Sequence, residues 1–273
     1  MVFWLIFAFG SILTENMQKI IVSSENLQLK LASYLQNILS TENADLIKKV
    51  VSKIDMQAIV IGFYATISNM MSSIFLIIFF VIFFFIEQNV FAMKLAKIFP
   101  KQRDYQFVDK ILTNIPRQIQ FYLGLKTLFS FITGLAIYVV LKLQGLAFAE
   151  FWAVAMFFMN FIPNIGAIAM TVIITLVGYF QWLDMSKTII LLGAQLGIHT
   201  LIGNFLETHY LGRTMHLSPL FILISLCFWG LLWGGAGLFL AVPMTVVLMI
   251  VLGSFDATRK VALILSEKGE LPI

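Results

Sequence analysis

LSPLFILISLCFWGLLWGGAGLFLAVPMTVVLMIVL, running from Leu217 to Leu252, holds 36 residues and no charge. A helix rises about 1.5 Å per residue and crosses a bilayer core of roughly 30 Å with about 20 apolar residues. The run is therefore too long for one crossing and slightly short for two joined by a turn. Gly230, Gly234, Gly235 and Gly237 interrupt it, and Pro243 follows. Glycine and proline gathered at that depth predict a broken segment, two short helices that dip in and return on the same side. Irregular backbone inside a bilayer persists where protein buries it or where it lines a wet cavity. The stretch predicts a transport path.

An earlier run repeats the pattern. From Leu146 to Gln181 the only charge is Glu150, and Pro163, Asn164 and Gly166 break the run near its middle. An ordinary span precedes each broken run, Phe121 to Leu141 before the first and Thr188 to Phe205 before the second. A re-entrant hairpin adds no net crossing and a complete pair adds two, so each unit crosses an odd number of times. The second copy is then inverted relative to the first, an arrangement that points to a secondary transporter's site. The competing reading is a bundle whose glycines only let helices approach, since Gly193/Gly197 and Gly230/Gly234 are both small-xxx-small pairs. The matching positions of the breaks favour the path.

Composition sets the class. The 273 residues are 60% hydrophobic and 12% charged, half the charged share of an average soluble domain. One all-α, polytopic membrane domain follows. The formal net charge of +4 is divided among loops, so it does not indicate nucleic-acid binding. The lone cysteine, Cys227, lies in an uncharged run and reads as a small buried hydrophobe. No disulfide can form within the chain.

Residues 1–13 are apolar, too short to span, and lack the basic start of a signal peptide. They read as the remnant of a span whose beginning is missing. Residues 14–57 carry five basic and five acidic side chains. Ile20, Leu27, Leu31, Leu35 and Ile38, then Leu46, Val50 and Ile54, recur at helical spacing. Two amphipathic helices outside the membrane are predicted, lying on lipid or on partner subunits. Residues 58–86 form a span in which Ser68, Asn69, Ser72 and Ser73 can bond to neighbouring helices. Residues 87–120 hold Lys94, Lys97, Lys101, Arg103, Lys110 and Arg117 against three acids, punctuated by Pro100 and Pro116. A cytoplasmic helical hairpin is expected there, because the most basic loop stays inside. Residues 121–252 then form the transmembrane core and 253–273 a cytoplasmic tail. On this topology the first broken run enters from outside and the second from the cytoplasm. Trp152 and Trp182 are expected at the outer interface as anchors.

Enzyme signatures such as HExxH, GxSxG or a phosphate loop are absent, and His199, His209 and His216 are not spaced as a zinc site. No enzyme, cofactor or metal is expected. Ionisable groups in spans are costly and hence informative. His199 lies deep in the span before the second broken run, where it can shuttle a proton or serve as a neutral hydrogen-bonding group. Glu207 ends that span and is expected either to couple to cations or to pair with Arg213. Lys126 and Glu150 sit near span ends, and snorkelling is expected of both.

NFIPNIGAI (residues 160–168) and GNFLETHYLGRTMHLSPLFILISLCFWGLLWGGAGLFLAVPMT (residues 203–245) resemble the signature regions of the autoinducer-2 exporter family of bacterial membrane proteins. In the second, Asn204, Glu207, Gly212, Ser218-Pro219, Phe228-Trp229-Gly230, Gly234, Gly237 and Ala241-Val242-Pro243 match in order. The similarity covers about residues 120–252 well and the basic hairpin loosely. It departs at Thr208-His209, where the family commonly has a proline after the glutamate. Members usually carry further N-terminal spans. The resemblance implies a multi-pass transporter of the bacterial inner membrane and a homo-oligomer, a pentamer being one such state. Some relatives are associated with export of a quorum-sensing signal and others with sodium/proton antiport.

Three readings follow. The first is a secondary transporter exporting a small polar solute such as autoinducer-2, with neutral amides from Asn160, Asn164 and Asn204. The second is sodium/proton antiport through Glu207 and His199. The third is a non-transporting membrane scaffold. The expected path or gate comprises Asn160, Pro163, Asn164, Gly166, His199, Asn204, Glu207, Arg213, Pro219, Trp229, Gly230, Gly234, Gly237 and Pro243. The expected partners are membrane lipid, a small polar solute or a cation, and further copies of the chain.

Overall fold

The computed structural model describes residues 102–210, 217–253, 258–267 and 269, with residues 11, 61–62, 65–66, 68–69 and 90; between 102 and 210, side chains are described from Gln118 onward. Expectations for residues 1–13, 14–57, most of 58–86, 87–101 and Arg213 lie outside the described residues.

Among the described residues, six α-helices have defined bounds, in chain order: α1 Gln102–Gln144, α2 Ala149–Met159, α3 Ile165–Trp182, α4 Met185–Ile198, α5 Pro219–Gly253 and α6 Arg259–Leu265. Among the described residues there is no strand, only an isolated bridge between Leu217 and Ser266. Among the described residues, four stretches are long and apolar enough to cross a membrane: Gln118–Gln144, Ile165–Trp182, Met185–Tyr210 and Pro219–Gly253. The chain is an all-α, polytopic membrane protein. It divides into two compact units. The first includes Ile132–Asn160 and Asn164–Thr200; the second includes Ser72–Phe131, Phe161–Pro163 and Leu201–Ile273.

Helix α1 runs on through Pro116, where the sequence leads one to expect a break. Its membrane portion carries a buried stripe, Tyr122, Lys126, Phe129, Ser130, Thr133, Ile137 and Leu141, at the three-and-four spacing of one helical face. Phe121, Leu128, Leu135 and Val139 occupy the opposite, exposed face. The helix ends in a Schellman motif on Gly145 (φ 69°): Gly145 N donates to Lys142 O (3.1 Å) and Leu146 N to Leu141 O (2.9 Å).

Within the first unit, α2 is hydrophobic on every side and eight of its eleven residues are buried, as such a helix requires. Gly134 of α1 admits it closely, since a Cβ there would lie 3.1 Å from Ala153 O. Trp152 is buried within the unit, which corrects its expected place as an interfacial anchor; Trp182 is half-buried. The loop after α1 is clamped by Gln181, whose amide accepts from Ala147 N and donates to Gly145 O, both at 2.8 Å. Glu150 pairs with Lys142 at 2.6 Å instead of extending alone to the interface.

Helices α3 and α4 are joined by only Leu183 and Asp184. Asp184 caps α4 by accepting from Ser186 N (2.9 Å) and Lys187 N (3.2 Å). Gly178 lets the pair close, because a Cβ would come within 2.7 Å of Leu191. A hydrogen bond from fully buried Gln195 to Thr175 Oγ1 (3.1 Å) ties them inside the apolar surroundings. Beyond Ile198 the helix widens into a π-helix, His199–Glu207.

Candidate functional site

Helix α5 spans 35 residues, yet Gly234 sits at φ 59°, ψ −134°, outside any helical conformation. Residues on either side of Gly234 are closer than a straight helix allows. Trp229 Nε1 donates to Thr245 Oγ1 at 3.1 Å although sixteen residues separate them, about 24 Å along an unbroken helix. The chain therefore reverses at Gly234 into two arms, residues 219–233 and 235–253. The predicted second break is a tight helical hairpin.

The four glycines divide the work. Gly234 supplies the positive φ that an L side chain avoids. Gly237 supplies contact, because a Cβ there would collide with the Trp229 carbonyl. At Gly230 a Cβ would lie 2.8 Å from Leu238 Cδ2. Deeper in the second arm, Pro243 is buried and has no N–H for the carbonyl four residues back. Thr245 completes the clasp: its hydroxyl accepts from Trp229 while donating to Ala241 O at 2.8 Å. At the mouth, exposed Pro219 opens the helix, and Ser218 N donates to Leu265 O (3.1 Å), fixing the end of α6 there.

The first break has a different construction. Asn160 caps α2 and is 6% exposed. Asn164 is exposed at φ 58°, ψ −51°, and buried Gly166 follows in the first turn of α3. Between them, Phe161–Pro163 belong to the second unit. There the Phe161 ring stacks on Phe239 of the hairpin, centroids 4.2 Å apart and planes 25° apart.

The π-helix carries three of the expected residues. His199, in the first unit, is half-buried, and its inward Nε2 has no hydrogen-bond partner among the described residues. Asn204 is exposed. Glu207 closes the stretch. In a π-helix the hydrogen bond spans five residues, so the turn is wider than in an α-helix. Ile202 is the buried residue of this stretch. Thr208 Oγ1 also donates across five residues, to Gly203 O at 3.2 Å, where the resembling family commonly has proline.

Glu207 is matched by Lys126 of α1, whose ammonium donates to Glu207 Oε1. The two side chains are 4% and 15% exposed. This corrects the expectation that Lys126 snorkels; Arg213, the partner expected for Glu207, lies outside the described residues. The reason lies in the helix face: Lys126 falls on the buried stripe with Tyr122 and Phe129, enclosed by protein. A single charge at the bilayer centre costs about 2.5–3.5 kcal/mol on insertion scales. Removing one partner of a buried pair costs about 3–5 kcal/mol, because the other stays uncompensated. Lys126 is the residue the sequence undervalued. Its place on the stripe is visible as the spacing 122, 126, 129, 130, 133. Among the described residues, no three or more His, Cys, Asp or Glu side chains gather as a metal site.

Full-length apolar helices, a helical hairpin turned on glycine, and a charge pair buried beside a π-helix define a membrane protein built around interrupted helices. Residues 1–256 match the family described as AI-2E family transporter, and the chain belongs to that family. A protein of Borreliella burgdorferi (strain ATCC 35210 / DSM 4680 / CIP 102532 / B31), named for transport without a substrate, is 33% identical over 231 residues, 82% of this chain and 62% of the relative. AI-2 transport protein TqsA of Escherichia coli (strain K12) is 31% identical over 206 residues, 74% of this chain and 57% of the relative. YhhT of the same strain, also named for transport, is 34% identical over 157 residues, 56% of this chain and 45% of the relative. The chain thus spans less than two thirds of the length of each of these relatives.

Proposed function

We propose that this chain acts in the bacterial inner membrane as a secondary transporter subunit, exporting a small, uncharged polar solute of the AI-2 kind. One observation carries the choice of solute. The acid on the π-helix, Glu207, is already balanced by the Lys126 ammonium. Neutral amides stand at the interruptions: Asn160 and Asn164 at the first break and Asn204 on the π-helix. Amides suit hydroxyl-rich solutes, since each offers both donors and an acceptor. Family membership and the printed name of TqsA support the same class.

Each interruption, the hairpin turned on Gly234 and the break at residues 160–164, would serve transport, in subunits assembled as a homo-oligomer. Sodium/proton antiport would require Glu207 to be open to a mobile cation, and the ion pair argues against that. The test is Asn204→Ala in cells that depend on this chain for export. Export falls severalfold while the amount inserted in the membrane is unchanged. Unchanged export would remove Asn204 from the path. Stable co-purification with one partner protein and no solute flux would favour a scaffold.

A further inference from the structure

We infer that Lys126 is a specificity-determining residue, a built-in counter-cation that keeps Glu207 from taking a mobile cation. The inference rests on the reading of the chain as a carrier of neutral solutes. Three observations carry it. Lys126 is almost fully enclosed, whereas Glu207 retains some exposure, so a cation could reach the carboxylate if the ammonium were absent. Lys126 is on α1 and Glu207 on the π-helix, 81 residues apart, so the pair is made by tertiary structure and not by helical neighbours. Asn204, three residues before Glu207 on the π-helix, is exposed, whereas Glu207 is only partly so.

Two cations compete for the Glu207 carboxylate, one tethered and one free. A carboxylate in a medium of low dielectric demands a positive partner. A tethered ammonium acts as a cation at high effective concentration that cannot diffuse away. Sodium in solution must displace it. Removing the ammonium alone leaves a partly exposed carboxylate, a hard oxygen ligand of the kind that a hard monovalent cation takes. A pair serving only to hold α1 against the π-helix would give no such gain.

The experiment uses the full chain in proteoliposomes, with wild type, K126Q, K126R, E207Q and the double variant K126Q/E207Q. Thermal unfolding is compared in sodium chloride and choline chloride, and labelled sodium uptake is measured in parallel. K126Q is expected to gain a sodium-specific rise in Tm of a few degrees, because a ligand that binds the folded state stabilises it. It also gains sodium uptake above wild type. K126R, which keeps the cation, and the double variant, which removes the carboxylate, show neither. A folded K126Q without a sodium response overturns the inference, as does a response that persists in the double variant.

If K126Q fails to insert, E207Q is the second arm. Its unpaired ammonium is expected to give a chloride-specific rise in Tm over gluconate that the double variant lacks, and absence of that rise overturns the inference. Failure of both single variants to insert marks the pair as a folding staple and overturns it as well. Sodium-driven flux in the wild type would instead defeat the proposed neutral solute, a result distinguishable from any behaviour of K126Q.

Discussion

The two breaks at residues 160–164 and at Gly234, both inside apolar sequence, are built differently. The first takes five residues, 160–164, between an 11-residue helix and an 18-residue one. At about 1.5 Å per residue these measure roughly 16 and 27 Å, half a bilayer core and nearly all of it. The second takes a single residue, Gly234, and its arms touch through Gly237, Gly230 and the Trp229–Thr245 hydrogen bond. A loop of five residues satisfies geometry by spreading it over several dihedrals. A one-residue reversal concentrates the whole demand on glycine. The second break should therefore be far less tolerant of substitution than the first.

The largest expected effect is at Gly237. A methyl there meets the Trp229 carbonyl, a backbone atom that cannot swing aside as a side chain can. Gly237→Ala should cost at least about 3 kcal/mol, the upper end of overpacking penalties, and should abolish transport; thermal unfolding in detergent measures the first effect and vesicle flux the second. Next is Gly234→Ala, which forces a side chain to φ 59°, ψ −134° and should cost about 1–3 kcal/mol. Loss of transport in a Gly234→Ala protein that still inserts would identify the reversal itself as the working part.

Smaller effects separate clasp from hinge. Thr245→Val deletes the acceptor for Trp229 Nε1 and should lower stability by about 1 kcal/mol, with a change in tryptophan emission from Trp229. An unchanged emission spectrum would show that the clasp does not hold the two arms. The smallest effect belongs to the first break. Asn164 holds a positive φ without being glycine, so Asn164→Gly should stabilise by up to about 1 kcal/mol. Destabilisation there would mean that the asparagine side chain, and not the backbone alone, shapes the loop.

Both breaks are legible in the sequence because a bilayer makes backbone interruptions expensive, so glycine, proline and asparagine in apolar runs are informative. The division of labour among Gly230, Gly234 and Gly237 is not legible. It depends on which residue meets the opposite arm, a fact of tertiary geometry. The face of Lys126 could be read from its spacing with Tyr122 and Phe129, but its partner could not, since nothing local links residues 126 and 207. The π-helix also leaves no mark in hydrophobic spacing, because it records a choice of carbonyl by each N–H. Trp152 shows the converse error. Tryptophan near a span end suggests an interface anchor, and here the all-apolar α2 around it is packed inside instead.

The most direct test of the account is flux through the purified full chain in proteoliposomes. Labelled AI-2 and labelled sodium are measured side by side, each with and without a pH gradient. The account predicts AI-2 flux that does not depend on sodium, with no sodium movement of its own. Sodium-driven proton movement without AI-2 flux would contradict it.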